Sequence, residues 1–324
     1  MNGIPVVRVV AAALAVLHWA PAVMAAGDAA DRAELSVPGL RCVIGGNGAW
    51  EAHREGYNGI FLMESGGGGD TPFVPAYAGW NLEHYFDGRP GQEDRKIFFE
   101  PRNAPMTFRR VDAATVELHQ PETPYWGVES WSRFTLREPH FVDFEFRCTP
   151  HKPVQGGFLG CFWASYINAP EDKSIYLLRE GATLDAPQWA QFCTMAHNRD
   201  STILPEGDAP EMVFPESGTT LYNSISPLRR GPPLFYGRRG GSVLIFLFEP
   251  SAHIRFSHSP SGGGRTAAGD DTNPAWDFQY LIPGAEQGKE YGFRARLVCK
   301  PWKDRADVIE EARAFFAGLE PPRK

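Results

Sequence analysis

Residues 140–148 read HFVDFEFRC, with Val142, Phe144, Phe146 and Cys148 alternating with Asp143, Glu145 and Arg147. Successive side chains of an extended strand point to opposite faces, so this run offers one apolar face to a core and one charged face to water. Tyr291 to Cys299 repeats the design: Tyr291, Phe293, Ala295, Leu297 and Cys299 share a side, and Arg294 and Arg296 occupy the other. Phe158–Ile167 and Val243–Phe248 are instead apolar on both faces, as expected of central strands held between two layers. Together these four runs predict an all-β fold, a large antiparallel β-sandwich.

Working outward, period-two runs bounded by Gly, Pro, Asn and Asp predict further strands near Leu40–Ile44, Tyr57–Met63, Met106–Val111, Thr115–Gln120, Ser130–Leu136, Ser174–Leu178, Trp189–Ala196, His253–Ser257 and Trp276–Ile282. One segment reads as helix. Asp304 can cap it, Val308, Ile309, Ala312, Phe315 and Phe316 recur at helical spacing, and Gly318 can end it. The stretch Thr202–Gly218, with Pro205, Pro210 and Pro215, reads as a long irregular connection. The Gly-rich stretches Ser65–Asp70 and Ser261–Gly269 read as surface loops, since neither has the strand, loop and helix context or the Lys of a phosphate cradle.

The chain has 324 residues, of which 43% are hydrophobic and 13% aromatic, a composition that buries a core. Its net charge of −7 contains no block of like charges, which argues against a nucleic-acid partner. Met1–Ala26 carries one early charge, Arg8, an apolar run from Val9 to Trp19, then Pro21 and the small residues Ala22, Ala25 and Ala26. That is the pattern of a signal peptide, so a secreted or periplasmic protein is expected, with a single domain over 27–324 and no membrane span after cleavage. All five cysteines, Cys42, Cys148, Cys161, Cys193 and Cys299, lie in that exported part. Cys148, Cys161 and Cys299 fall in apolar runs, which favours small buried hydrophobes over a disulfide framework.

Three polar and aromatic concentrations are candidates for a site. Ala78–Gly88 crowds together Trp80, Asn81, Glu83, His84, Tyr85 and Asp87; aromatic faces stack on sugar rings, and Asn, Glu and His supply the hydrogen bonds hydroxyls demand. His84 is the candidate general acid or base. A second concentration holds Arg102 beside Glu100, then Trp126, Glu129 and Trp131. Glu129 is the candidate second carboxylate, because adjacent Glu83 and His84 in a regular strand face opposite ways. Arg102 reads either as a clamp for an acidic sugar or as the partner of Glu100. A third holds Trp163, Ser165, Tyr166, Asn168, His253, His258, Trp276 and Asp277. His253 and His258 are spaced to opposite faces, and Asp270, Asp271 and Asp277 lack the pattern of a calcium loop, so neither a metal nor any other cofactor is expected.

The strand trio Trp126–Leu136, Phe141–Cys148 and Phe158–Ile167, with Tyr291–Cys299 and the terminal helix, resembles the galactose mutarotase-like β-supersandwich. The resemblance covers about half of the chain and is architectural. The paired His and Glu motifs of aldose epimerases find no match here, so no catalytic residue is carried over. It implies a concave sheet face that binds a saccharide, in a superfamily that also contains polysaccharide lyases and non-catalytic sugar-binding proteins. The expectation is therefore a carbohydrate-binding or carbohydrate-active protein, its groove lined by Trp80, Asn81, His84, Arg102, Trp126 and Trp276. If it is an enzyme, its chemistry is acid/base work by His84 with Glu83 or Glu129, as in an epimerase, lyase or glycoside hydrolase. The rival reading is a non-catalytic envelope or protein-binding sandwich. The sequence leaves the oligomeric state open.

Overall fold

The computed structural model describes residues 31–66, 70–87, 94–208, 221–250 and 253–319. The signal-like stretch Met1–Ala26, the middle of the first Gly-rich stretch and most of the 202–218 connection lie outside them. Three strands, β1 (Arg32–Val37), β2 (Leu40–Gly45) and β3 (Gly59–Ser65), form one antiparallel sheet. Next come β4 (Asn81–Phe86), the single-turn helices α1 (Arg95–Phe98) and α2 (Glu100–Asn103), β5 (Thr107–Arg110), β6 (Thr115–Gln120), β7 (Val128–Arg137), β8 (Phe141–Pro150) and β9 (Phe158–Ala164). The chain continues through β10 (Ile175–Arg179), β11 (Trp189–Phe192), β12 (Thr202–Pro205), β13 (Ile225–Arg239) and β14 (Ser242–Phe248), then β15 (Ile254–Ser259), β16 (Ala275–Pro283), β17 (Tyr291–Pro301) and α3 (Arg305–Ala317).

β4 to β17 belong to one 14-stranded sheet whose main path runs β4-β9-β16-β15-β12-β13-β14-β17-β8-β7-β6-β5. The sheet doubles back on itself, so that β9 and β16 face β8 and β17. Trp163 of β9 meets Phe146 of β8 edge-on at 4.6 Å and Phe293 of β17 at 5.3 Å, and stacks on Phe278 of β16 at 5.0 Å. This aromatic layer is the core, and the alternation of 140–148 is observed as written, Val142, Phe144, Phe146 and Cys148 all being buried. The outward Arg and Glu pair across strands: Glu117 of β6 is bonded by both Arg109 of β5 and Arg133 of β7. α3 starts at the Asp304 cap, whose carboxylate accepts the Asp307 amide at 2.9 Å, and lays Val308, Ile309, Ala312 and Phe315 on β14 and β17.

The all-β sandwich with its C-terminal helix is thus observed, with three differences. Thr202–Pro205, read as the start of an irregular connection, is the buried strand β12, held between β13 and β15. The sheet is mixed, because β12 and β13 pair in parallel while the other pairs are antiparallel. β13 is also a strand of 15 residues, containing Pro227, Pro232 and Pro233, in a stretch where the sequence predicts no strand. Proline donates nothing to a ladder and is tolerated where pairing lapses. Pro232 and Pro233 lie between the stretch paired with β12, ending at Arg230, and the stretch paired with β14, starting at Leu234.

Candidate active site

β4 opens on a strained residue. Trp80 has φ of +52°, a left-handed conformation that costs a bulky residue about 1–3 kcal/mol. Its indole, 1% exposed, is locked by Phe144 edge-on at 4.8 Å, Phe278 at 5.5 Å and Phe248 at 6.4 Å, and its backbone N–H donates to Ser165 Oγ. Two residues later the ladder with β9 slips: Leu82 pairs with Trp163, but His84 pairs with Phe162. One extra residue on one strand is a β-bulge, which re-aims side chains. Here it turns Glu83 and His84, which a regular strand would send to opposite faces, into one cavity.

The cavity, of about 370 Å³, sits on the outer face of β4, β9 and β16, opposite the aromatic core. Glu83 and His84 form one wall with Phe162 and Ala164 of β9, Tyr166 beyond it and Asp277 of β16. Phe98, Phe99 and Arg102 of the short helices roof it, and Tyr57, His197 and Asn198 close the sides. Glu83 Oε1 accepts from the Tyr166 hydroxyl at 2.7 Å and from the Arg102 guanidinium at 3.0 Å. Arg102 also donates to the Gly56 carbonyl at 2.7 Å and lies over the Tyr57 and Phe99 rings at 3.8 and 4.6 Å. Burial works against its cation, but Glu83 together with the Tyr166 and Tyr57 phenols raises its pKa on balance. Burial, then the Glu83 charge, pushes the Tyr166 phenol well above its usual range, so it stays a neutral donor.

His84 is fixed in one tautomer. Its Nδ1 lies 2.6 Å from the Phe98 carbonyl, which can only accept, so Nδ1 carries the proton and Nε2 is the basic nitrogen of the neutral ring. That Nε2 is 3.8 Å from Glu83 Oε2. Asp277, 1% exposed, accepts the Ser165 amide at Oδ1, while its Oδ2 has no hydrogen-bond partner among the described residues. Burial first, and then the charge of Glu83, raises its acid well above the usual carboxylate range. The buried Asn198 Oδ1 is likewise without a partner among the described residues. His197 bonds Ser259 Oγ at 2.7 Å, and burial lowers its basicity.

Of the residues named from sequence, Glu83, His84 and Arg102 converge. Tyr166 and Asp277 of the third concentration join them, and the remaining residues proposed to line the groove or act in it are placed elsewhere, each for a physical reason. Trp80 and Trp276 are core residues; the Trp276 indole packs over Gly237 and donates to the Lys173 carbonyl at 2.8 Å. Asn81, fully buried, ties the β3 approach to β4 by accepting the Asn58 amide. Trp126 supports the helical roof from behind, donating from Nε1 to the Ile97 carbonyl, and the Tyr125 and Trp126 amides both donate to Glu100. Glu129 lies outside the cavity, bonded at 2.8 Å to both His119 and His151, so it is no partner for His84. Arg102 pairs with Glu83 rather than with Glu100, which leaves it no carboxylate clamp. The sequence placed Asp277 in a third concentration separate from Glu83 and His84 and left out Tyr57, Phe98, Phe99, His197 and Asn198. Their one legible signal was the polar-aromatic run continuing through Tyr166. Among the described residues no cluster of His, Cys, Asp and Glu could hold a metal ion, and no helix is long and apolar enough to cross a membrane.

No family model and no curated protein matches the sequence. Among solved structures, a putative aldose 1-epimerase from Escherichia coli K12 is 10% identical with a TM-score of 0.46, over 84% of this chain and 99% of that one. The chain is similar to aldose epimerase-type structures. A GalM/aldose epimerase homologue from C. elegans gives 11% identity and a TM-score of 0.46 over 85% and 100% of the two chains. A heparan sulfate lyase from Pedobacter heparinus gives 9% and 0.39, over 85% of this chain and 36% of that one.

Proposed function

We propose that this is an exported carbohydrate-active protein whose Glu83, His84 and Asp277 carry out acid/base chemistry on one sugar unit held in the cavity. The observation that carries the reading is the set of unsatisfied polar atoms: Asp277 Oδ2 and Asn198 Oδ1 are buried in the wall without partners among the described residues. A buried polar atom without a hydrogen bond costs about 1–3 kcal/mol, and a ring bearing several hydroxyls satisfies many at once. The walls add the apolar half of the recognition, since Tyr57, Phe98, Phe99 and Phe162 line the same space. Export rests on the sequence of Met1–Ala26.

In this reading His84 Nε2 takes the proton of a sugar hydroxyl. The Phe98 carbonyl holds the ring, and Glu83 stabilises the imidazolium that forms. Asp277, whose acid form burial favours, donates to the oxygen on which negative charge develops. Asp277, buried with Oδ2 unpartnered among the described residues, and Glu83, paired with Arg102, sit in different environments, the usual basis for dividing acid from base. Arg102 and Tyr166 keep Glu83 in place.

The test is a thermal-shift and turnover screen of the purified chain against mono- and oligosaccharides, because a ligand that binds the folded state raises its melting temperature. Expected are a shift with at least one sugar and turnover of that sugar. Glu83→Gln and His84→Ala should each cut turnover at least a hundredfold while leaving affinity within tenfold. No shift with any saccharide, in protein shown to be folded, refutes the reading; a shift without turnover leaves a sugar-binding protein and refutes the chemistry.

A further inference from the structure

The two layers of the sandwich bring Cys148 of β8 and Cys161 of β9 together, although these strands are not neighbours in the sheet. Cys161 is flanked in register by Tyr85 of β4 and Tyr280 of β16. Cys148 is flanked by Ser130 of β7 and Tyr291 of β17. The two tyrosines cross the core to the strands beside Cys148. Tyr85 donates to Ser130 Oγ at 2.9 Å, and Tyr280 donates at 3.2 Å to the carbonyl of Gly292, next to Tyr291. One step further along each strand, Trp163 and Phe146 meet at 4.6 Å. The cysteines are thus opposed across the layers between two bridging tyrosines. Both are fully buried.

We propose that Cys148 and Cys161 form an inter-layer disulfide when the chain folds in an oxidising compartment. Among the described residues the structure shows both as thiols. In the bond-forming sequence one cysteine thiolate attacks a sulfur of a donor disulfide, either an oxidised dithiol oxidoreductase or a glutathione disulfide, and expels one donor thiolate. The second cysteine then attacks the resulting mixed disulfide, forming the Cys148–Cys161 bond and releasing the other donor thiolate. Two thiols lose two protons and two electrons, and the donor disulfide is reduced to two thiols. The attacking species must be a thiolate, and a fully buried thiol resists ionisation. The bond therefore forms before the layers close, and once closed they shield it from reductants. The proposal is independent of the sugar reading, needing an oxidising compartment but no ligand.

The experiment is peptide mapping of the full chain produced in an oxidising secretory compartment, unfolded in denaturant with an alkylating reagent and no reductant. The expected result is one linked peptide pair holding Cys148 and Cys161, lighter than the two free peptides by two hydrogens. Alkylation of both residues, or a link from either to Cys42, Cys193 or Cys299, overturns the proposal. The stability of the variants gives a second measurement. Cys148→Ala and Cys161→Ala should each lower the urea midpoint of the oxidised protein, and the double variant should lie no further down than the lower single. Additive losses would mean two separate packed thiols and would also overturn it.

Discussion

Replacing Arg102 by Leu tests whether the cavity is organised around an ion pair. The Arg102 and Glu83 side chains are 15% and 10% exposed, so the substitution strands a buried carboxylate whose remaining donor in the described contacts is the Tyr166 hydroxyl. Breaking a buried pair from one side costs about 3–5 kcal/mol. The lost contact over the Tyr57 and Phe99 rings falls within that range, so a loss near its middle is expected. Glu83→Gln keeps an oxygen for Tyr166 and leaves Arg102 its bond to Gly56, so it should cost about 2 kcal/mol. In the double variant no charge is stranded. Its loss should fall short of the summed singles by about 2 kcal/mol, a coupling of the size found for residues in one network. The assay is urea unfolding followed by tryptophan fluorescence, at constant denaturant slope. A coupling below about 0.5 kcal/mol would refute the pairing and with it the account of how Glu83 is held.

Three further outcomes follow from the same contacts. His258 is fully buried and neutral: its Nδ1 accepts from Thr194 and its Nε2 donates to the Lys173 carbonyl at 2.9 Å. Burial lowers it to about 4 from 6.5. Between those values the unfolded chain binds a proton the folded chain refuses, so its contribution is complete above pH 6.5 and falls away toward pH 4, by about 3 kcal/mol in all. His258→Gln should flatten that part of the stability curve measured by urea titration, and an unchanged slope would contradict the burial argument. Gly237→Ala puts a Cβ 2.2 Å from the Trp276 ring and should cost about 2 kcal/mol; a neutral effect on the urea midpoint would mean the indole sits elsewhere. Trp276→Ala should cost about 3–5 kcal/mol by emptying the core while the remaining folded protein keeps its saccharide affinity, and a selective loss of affinity at unchanged stability would return Trp276 to the ligand site.

The sequence alone determined which surface of most strands is buried, because a strand's side chains alternate and the sorting of apolar from charged residues is local. Val142 to Cys148, Phe293 to Cys299 and the capped helix from Asp304 to Gly318 were legible for that reason. β13 was not, since its prolines are tolerable only where two separate pairings meet, and pairing is a property of the assembled sheet. The site divides along the same line. Glu83, His84 and Arg102 were recognisable by chemistry, but their convergence depends on a one-residue slip between β4 and β9 that no alternation pattern records. Trp80, Asn81 and Trp276 have the residue types of a sugar groove and lie in the interior, because an aromatic ring stacks equally well on a sugar or on another ring. Asp277 reverses this. From sequence it was a polar residue in a concentration apart from Glu83 and His84, and only the tertiary structure, by closing β9 and β4 around it and setting Glu83 nearby, makes it a buried acid. Chain-local physics fixes what each side chain can do, whereas the dielectric around it and the partner it faces arise only when strands distant in sequence are packed together.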